Sequence, residues 1–328
     1  MLIQNDKDSQ STNDNGKVKT KEYSNSNSND YAINKARNDP KNCIDNPKCT
    51  EKQVIKTEKI TITKTKDIDY LQFNKLLEFE DKITHAMTLK NHDIGFKRSS
   101  MLINNIREAS YLKLEDEFSI NIKDIIQPYQ EHTDNIFLFK DINTLGNDLY
   151  STKLENTDGI ICNISGIASL TTSADCTPII IYDPVNNVYA NVHSGWKGTV
   201  KKIAQKAVIK MIKDYDCNPR NLICCIGPCI RKECFLVNDD VANIYRNEFQ
   251  EYCENYNVVE ETDLFNENGQ QYRIDNSLVI KLMLEDINIP EENIIDSNIC
   301  TVCSSHAYHS RRAEGKKFQT NGCLTILK

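Results

Sequence analysis

The chain has one tryptophan and six histidines in 328 residues, and it carries no surplus of positive charge. Lysine and arginine number 40 against 47 aspartates and glutamates, a formal net charge of -7. Neutralising phosphates needs a basic surface, so general nucleic-acid binding is not expected. No apolar run approaches the roughly 18–20 residues that a membrane helix requires. The longest stretches, such as Ile179-Ile180-Ile181, read as buried strand. The opening MLIQNDKDSQ has no apolar h-region of a secretory leader, so a cytoplasmic protein is expected. There is no internal repeat.

What is present supports one sizeable core. Hydrophobic residues make up 39% of the chain, enough for one large domain or two small ones. The 13 cysteines are an odd number, which rules out complete internal pairing. Without a leader they read as reduced thiols, most of them buried apolar residues and a few available as ligand or nucleophile. Residues 1–66 are rich in Asn, Ser, Lys, Asp and Thr. Such a segment buries too little apolar area to offset its ordering entropy, so it reads as a disordered extension. Within it only Val54 to Thr63 alternates weakly, as a strand would. Cys43 and Cys49 have no second ligand pair nearby to complete a metal knuckle.

From Asp67 onward the pattern is globular. Tyr70 to Leu89 suggests a short apolar helix or a strand pair, and residues 99–118 a helix. Strands are expected at Phe137–Phe139, Asp158–Asn163, Ile167–Thr172, Pro178–Tyr182, Val188–His193, Leu222–Ile226 and Leu324–Leu327. From Gly195 to Lys213, Val200, Ile203, Ala204, Ala207, Val208, Met211 and Ile212 form one helical stripe. Further helices are expected at 239–249 and 276–286, the latter capped by Asn276 or Ser277. Strands and helices mix without strict alternation. The fold class this implies is α+β, a layered sandwich of mixed β-sheets with flanking helices in a single domain spanning 67–328.

Three segments place chemically capable side chains at strand ends. Cys176 opens the strand TPIIIYD, and His193 closes the strand VYANVH. An antiparallel hairpin through Asp183-Pro184-Val185-Asn186-Asn187 would make them neighbours. Such a pair can be a thiolate nucleophile with its base, or two ligands of a zinc ion that needs a third side chain and keeps one position open. His132, in the polar segment PYQEHTDN, is the natural third ligand. Asp175 could orient a ligand imidazole, or only hydrogen-bond within a strand-entry turn. Gly195-Trp196-Lys197-Gly198 leads into a helix, where backbone N–H groups and Lys197 could attract phosphate. The alternative is a tight turn with a core tryptophan.

Taken in order, these residues resemble the laccase-domain, or multicopper-polyphenol-oxidase-like, family. Its members are usually described as purine nucleoside phosphorylases and, in some bacteria, as the peptidoglycan editing factor. The likeness rests on Gln130-Glu131-His132, Ala174-Asp175-Cys176-Thr177-Pro178 and His193-Ser194-Gly195-Trp196-Lys197-Gly198. It continues through Gly227-Pro228-Cys229-Ile230 with Cys234-Phe235-Leu236-Val237, then Cys300-Thr301-Val302-Cys303, and His309-Ser310-Arg311-Arg312. It runs from about residue 70 to the C-terminus. Lys197, Ser194 and Glu131 depart from the usual Arg, Ala and Val, and none removes a ligand.

The resemblance implies zinc on His132, Cys176 and His193. It implies an active-site arginine, whose nearest match is Arg107, and an outer role for Asp175. The implied substrates are purine nucleosides and phosphate. Adenosine, inosine, guanosine or methylthioadenosine would be cleaved to base and ribose 1-phosphate, with Arg107 and Lys197 holding phosphate, and adenosine would also be deaminated. A peptidoglycan-precursor editing hydrolase is the alternative. A copper phenol oxidase, the older label, needs several histidine-rich centres, whereas one cysteine with two histidines makes one site. Cys300 and Cys303, with His306 and His309 nearby, have zinc-like spacing, but the resemblance implies a structural segment there.

Overall fold

The computed structural model describes residues 52–98, 101–141 and 154–328, with the side chains of 101–104 left aside. Two sheets form its centre. The seven-stranded one runs, edge to edge, Gln53–Lys56, Ile60–Lys64, Asp69–Phe73, Ile83–Thr88, Asn321–Leu327, Ala168–Ser173 and Ile125–Ile126. The six-stranded one runs Ile294–Asp296, Ile223–Ile226, Thr177–Asp183, Val188–Ser194, Gly159–Cys162 and Ile136–Phe139. Each sheet is mainly antiparallel. Parallel pairs occur where Ile125–Ile126 joins Ala168–Ser173 and at both edges of the second sheet.

Strand alternation explains how the layers stack. In TPIIIYD, Ile180 and Tyr182 point one way and Ile179 and Ile181 the other. The first pair packs with Leu71, Met87, Cys323 and Leu327 of the larger sheet, filling the space between the sheets. The second pair meets Ile203, Ala207, Val208 and Met211 of the helix Ile203–Tyr215, with Val279, Ile280 and Met283 of the helix Asn276–Asp286. On the outer face of the larger sheet, Tyr70, Ala86, Leu170 and Leu324 pack with Tyr111 and Leu114 of the helix Met101–Phe118. The protein is therefore α+β, with two mixed sheets between helical layers. Strands buried on both faces read as continuous apolar runs, and TPIIIYD is one.

Three expectations change. The sequence-based domain limit at residue 66 falls inside the fold, because Gln53–Lys56 and Ile60–Lys64 are strands of the larger sheet. The disorder expected of the rest of that extension, and the Cys43 and Cys49 pair, lie outside the described residues. The single helix expected from Gly195 to Lys213 is two, Trp196–Val200 and Ile203–Tyr215, separated at Lys202, which is left-handed at φ 62°. The cap of the helix Asn276–Asp286 is Asp275, whose carboxylate accepts from the Leu278 amide at 3.0 Å. A small third sheet, Leu236–Val237 with Gly269–Ile274 and Val259–Asn266, has no counterpart in the sequence reading. Among the described residues, no helix is long and apolar enough to cross a membrane.

Candidate metal centre

The hairpin forms in the expected register: His193 faces Pro178 and Ser194 faces Thr177 across the antiparallel pair. Cys176, one residue before the first strand, therefore lies beside the end of the second. His132 arrives from the loop that precedes Ile136–Phe139. The ligand atoms of His132, Cys176 and His193 all lie within 4.8 Å of one another. Cys176 Sγ is 3.6 Å from His132 Nε2, and the two imidazole rings meet edge to face with centroids 5.1 Å apart.

One buried carboxylate organises this cluster. Asp158 is fully buried at the entry to Gly159–Cys162. Its Oδ1 accepts from His193 Nδ1 at 2.8 Å and from the His132 amide at 3.1 Å. Its Oδ2 accepts from the amides of Glu131 and Thr133 and from the Thr133 hydroxyl. A buried carboxylate needs such partners. Burial alone would push its pKa up, but the His193 imidazole and the Thr133 donors hold it below the ordinary value. It therefore stays ionised and accepts the Nδ1 proton, so Nε2 is the ring nitrogen that could bind a metal once it gives up its own proton. It also fastens the loop that keeps His132 at φ 60°, a conformation that a non-glycine residue adopts at a cost.

The thiol responds to the same charges. Burial would raise the Cys176 pKa, but the His193 and His132 imidazoles bring it down to about 6. Burial would lower that of His193, but the Cys176 thiolate and the Asp158 hydrogen bond lift it to about 9. A thiolate beside an imidazole is what a metal ligand set or a nucleophile requires.

The ligand separation suits a cation. For tetrahedral zinc, Zn–S near 2.3 Å and Zn–N near 2.0–2.1 Å place sulfur and nitrogen about 3.6 Å apart, as found for Cys176 and His132. Gly195 leaves room beside them. A Cβ there would come within 2.6 Å of His132 Cδ2 and 3.0 Å of Cys176 Sγ.

The cluster forms the floor of a cleft with two lobes, which share Glu131, His132, Ala174, Cys176 and Arg311. The first lobe, about 330 Å³, is cationic, with Lys97, Arg98 and Arg311 on its wall. The Lys97 ammonium sits 3.6 Å from the Phe318 ring centre, and the Arg98 guanidinium 3.7 Å from that of Tyr129. The second, about 730 Å³, is lined by Trp196, Lys197, Phe235, Asp240 and Arg312 among others. Trp196 is half-buried, part cleft wall and part core edge.

Two expected roles shift. Arg107 does not line the cleft. Its Nη2 donates to Gln127 Oε1 at 2.9 Å, so it stands behind a wall residue. Asp175 orients neither imidazole. Its Oδ1 accepts from Thr301 Oγ1 and its Oδ2 from the Arg312 amide, both at 2.7 Å. It thus ties the C-terminal segments to the residue before Cys176, at φ 87°. Lys197 lies on the wall of the second lobe. Sequence reasoning missed Asp158 behind the cluster and Lys97 and Arg98 on the cleft wall. For Asp158 a signal existed, since a charge opening the all-apolar strand GIIC must have partners. For the cations none did, because charged residues on loops carry no period.

The two-sheet sandwich brings two imidazoles and a thiol together at the floor of a cleft, a group that could hold a metal ion. The chain belongs to the family described as multi-copper polyphenol oxidoreductase laccase, whose profile matches residues 104–325. It is 33% identical over 170 residues to "Purine nucleoside phosphorylase YlmD" of Bacillus subtilis, spanning 51% of this chain and 58% of that protein. It is 26% identical over 205 residues to "Adenosine deaminase RL5" of an unknown prokaryotic organism, spanning 62% of this chain and 75% of that one. The crystal structure of the Bacillus licheniformis hypothetical protein YfiH superposes with a TM-score of 0.69 at 26% identity, covering 79% of this chain and 96% of that one.

Proposed function

We propose that the protein is a zinc-dependent purine nucleoside phosphorylase that also deaminates adenosine. The observation that carries this reading is the convergence of His132, Cys176 and His193 beneath a cleft walled by cations. The names of the relatives support purine nucleosides as the substrate class.

In this reading His132, Cys176 and His193 hold zinc, which suits a mixed nitrogen and sulfur set. When bound, the ion would polarise a substrate oxygen or acidify a water in its open position. Asp158 fixes the His193 tautomer. Lys97, Arg98 and Arg311 bind phosphate in the first lobe, by charge and by guanidinium geometry. The second lobe takes the purine. Trp196 and Phe235 offer it faces to stack on, and Asp240 and Asn238 accept or donate along its edge. Arg107 acts through Gln127, holding the cleft wall in place.

The test is purified full chain with adenosine, with and without phosphate, products separated by chromatography. Adenine formed only with phosphate supports phosphorolysis. Inosine formed without phosphate supports deamination. No adenine, inosine or hypoxanthine under either condition rejects the proposal.

A further inference from the structure

A second group of soft ligands lies behind the cleft wall. Cys234, Cys300 and Cys303 have all three sulfurs within 4.8 Å of one another. They come from two segments far apart in the chain. Cys234 ends a turn whose amide returns to the Arg231 carbonyl at 2.9 Å. Cys300 is held by a parallel bridge to Cys229, and Cys303 follows in the next turn. The histidines that share this stretch of sequence do not take part. His309 is engaged by the Ile94 carbonyl and by Glu314, and His306 is not in the group.

Cys234 Sγ and Cys303 Sγ are 3.5 Å apart. That is far beyond a disulfide bond of about 2.0 Å. It is close to the separation of about 3.8 Å between two thiolates on one tetrahedral ion with metal–sulfur bonds near 2.3 Å. Burial is graded, with Cys300 inside, Cys234 half-buried and Cys303 exposed, so one side of the trio is open to an incoming ion. The Arg312 guanidinium, donating to the carbonyls of Cys234 and Leu236, adds positive charge beside the set.

We propose that Cys234, Cys300 and Cys303 form a second metal site, a three-thiolate seat for a soft d10 cation, Zn(II) or Cu(I). It is separate from the first site but mechanically joined to it. Thr301, between two of its ligands, holds the carboxylate of Asp175, the residue before Cys176. Arg312 links the Cys234 carbonyl to the other oxygen of the same carboxylate through its amide.

The test is metal titration of the full chain, stripped with chelator under reducing conditions, in a Cys176→Ala background that disables the first site. This variant should retain one equivalent of zinc, or of Cu(I) titrated anaerobically against a competing chelator. The stronger competitor of the two identifies the ion. Adding Cys303→Ser, an exposed change that the fold tolerates, should abolish that equivalent. Cobalt loaded in place of zinc should give a thiolate-to-metal absorption band that disappears with Cys303→Ser. The proposal is overturned if Cys176→Ala binds neither ion, or if Cys303→Ser changes nothing. It is equally overturned if peptide mapping of the freshly isolated protein finds Cys234 and Cys303 joined as a disulfide with no metal bound.

Discussion

Asp158 organises more of the site than any other residue, because a single carboxylate holds the His193 ring and the backbone that presents His132. Asp158→Asn keeps the shape but puts an amide where two acceptor oxygens are needed. Outer partners of this kind typically change metal affinity 10–100-fold. Zinc affinity, measured against a chromophoric chelator, is expected to fall by about that range while thermal unfolding stays cooperative. Unchanged affinity would dismiss the organising role. A second residue, His85, sets an acid limit on the fold. It is fully buried, its Nε2 accepts from the Phe73 amide at 2.7 Å, and burial lowers its pKa from 6.5 to about 3. The unfolded chain takes up the proton near pH 6.5 and the folded chain does not, so His85 costs nothing above that pH. Stability then falls as pH drops from 6.5 towards 3. Between neutrality and about pH 4.5, wild type is expected to lose about 2 kcal/mol more than His85→Gln, which can still accept from Phe73. Urea unfolding at the two pH values measures the difference, and equal losses would refute the assignment.

At the scale of elements, the Cys176–His193 hairpin was legible and its surroundings were less so. Two apolar strands joined by Asp-Pro-Val-Asn-Asn specify their own register, since a one-residue slip would turn Ile180 and Tyr182 out of the core between the sheets. That places Cys176 beside His193 before any coordinates are known. The approach of His132 was less legible, because it is 44 residues away and spacing says nothing about tertiary approach, so the family likeness carried most of that expectation. The small sheet escaped notice because Val259–Asn266 is mostly exposed and shows no apolar alternation. The helix break escaped notice because Lys201 and Lys202 fit the polar face of an unbroken helix. Only the structure shows Lys202 at φ 62° and ψ 38°, a conformation that costs a side-chain-bearing residue about 1 kcal/mol. Lys202→Gly should therefore stabilise the protein, by about 0.5–1 kcal/mol in denaturant unfolding. A loss instead would mean that the two helices are joined by something other than a strained link.

For the whole molecule, the open question is where the cooperative unit begins. Composition placed the limit at residue 66, since the segment before it is polar and low in large apolar side chains. Yet two of those few side chains, Ile60 and Ile62, are 1% and 5% exposed and pack in the core between the sheets. Their strand pairs along Asp69–Phe73 from Ile60↔Phe73 to Lys64↔Asp69. A segment can thus read as disordered on average and still supply a strand, because five residues are enough to cover a sheet edge. Each isoleucine contributes roughly 1.5–3 kcal/mol through burial, and removing the strand also uncovers Leu71 and Phe73. Domains are commonly stable by only about 5–15 kcal/mol, so losing both strands removes a large share of the total. Starting the chain at residue 67 should therefore lower the unfolding midpoint sharply or leave it unfolded, whereas starting at residue 52 should leave the unfolding curve close to that of the full chain. Circular dichroism melts of the two truncations decide the matter. A chain from residue 67 as stable as the full protein would return the boundary to where composition put it.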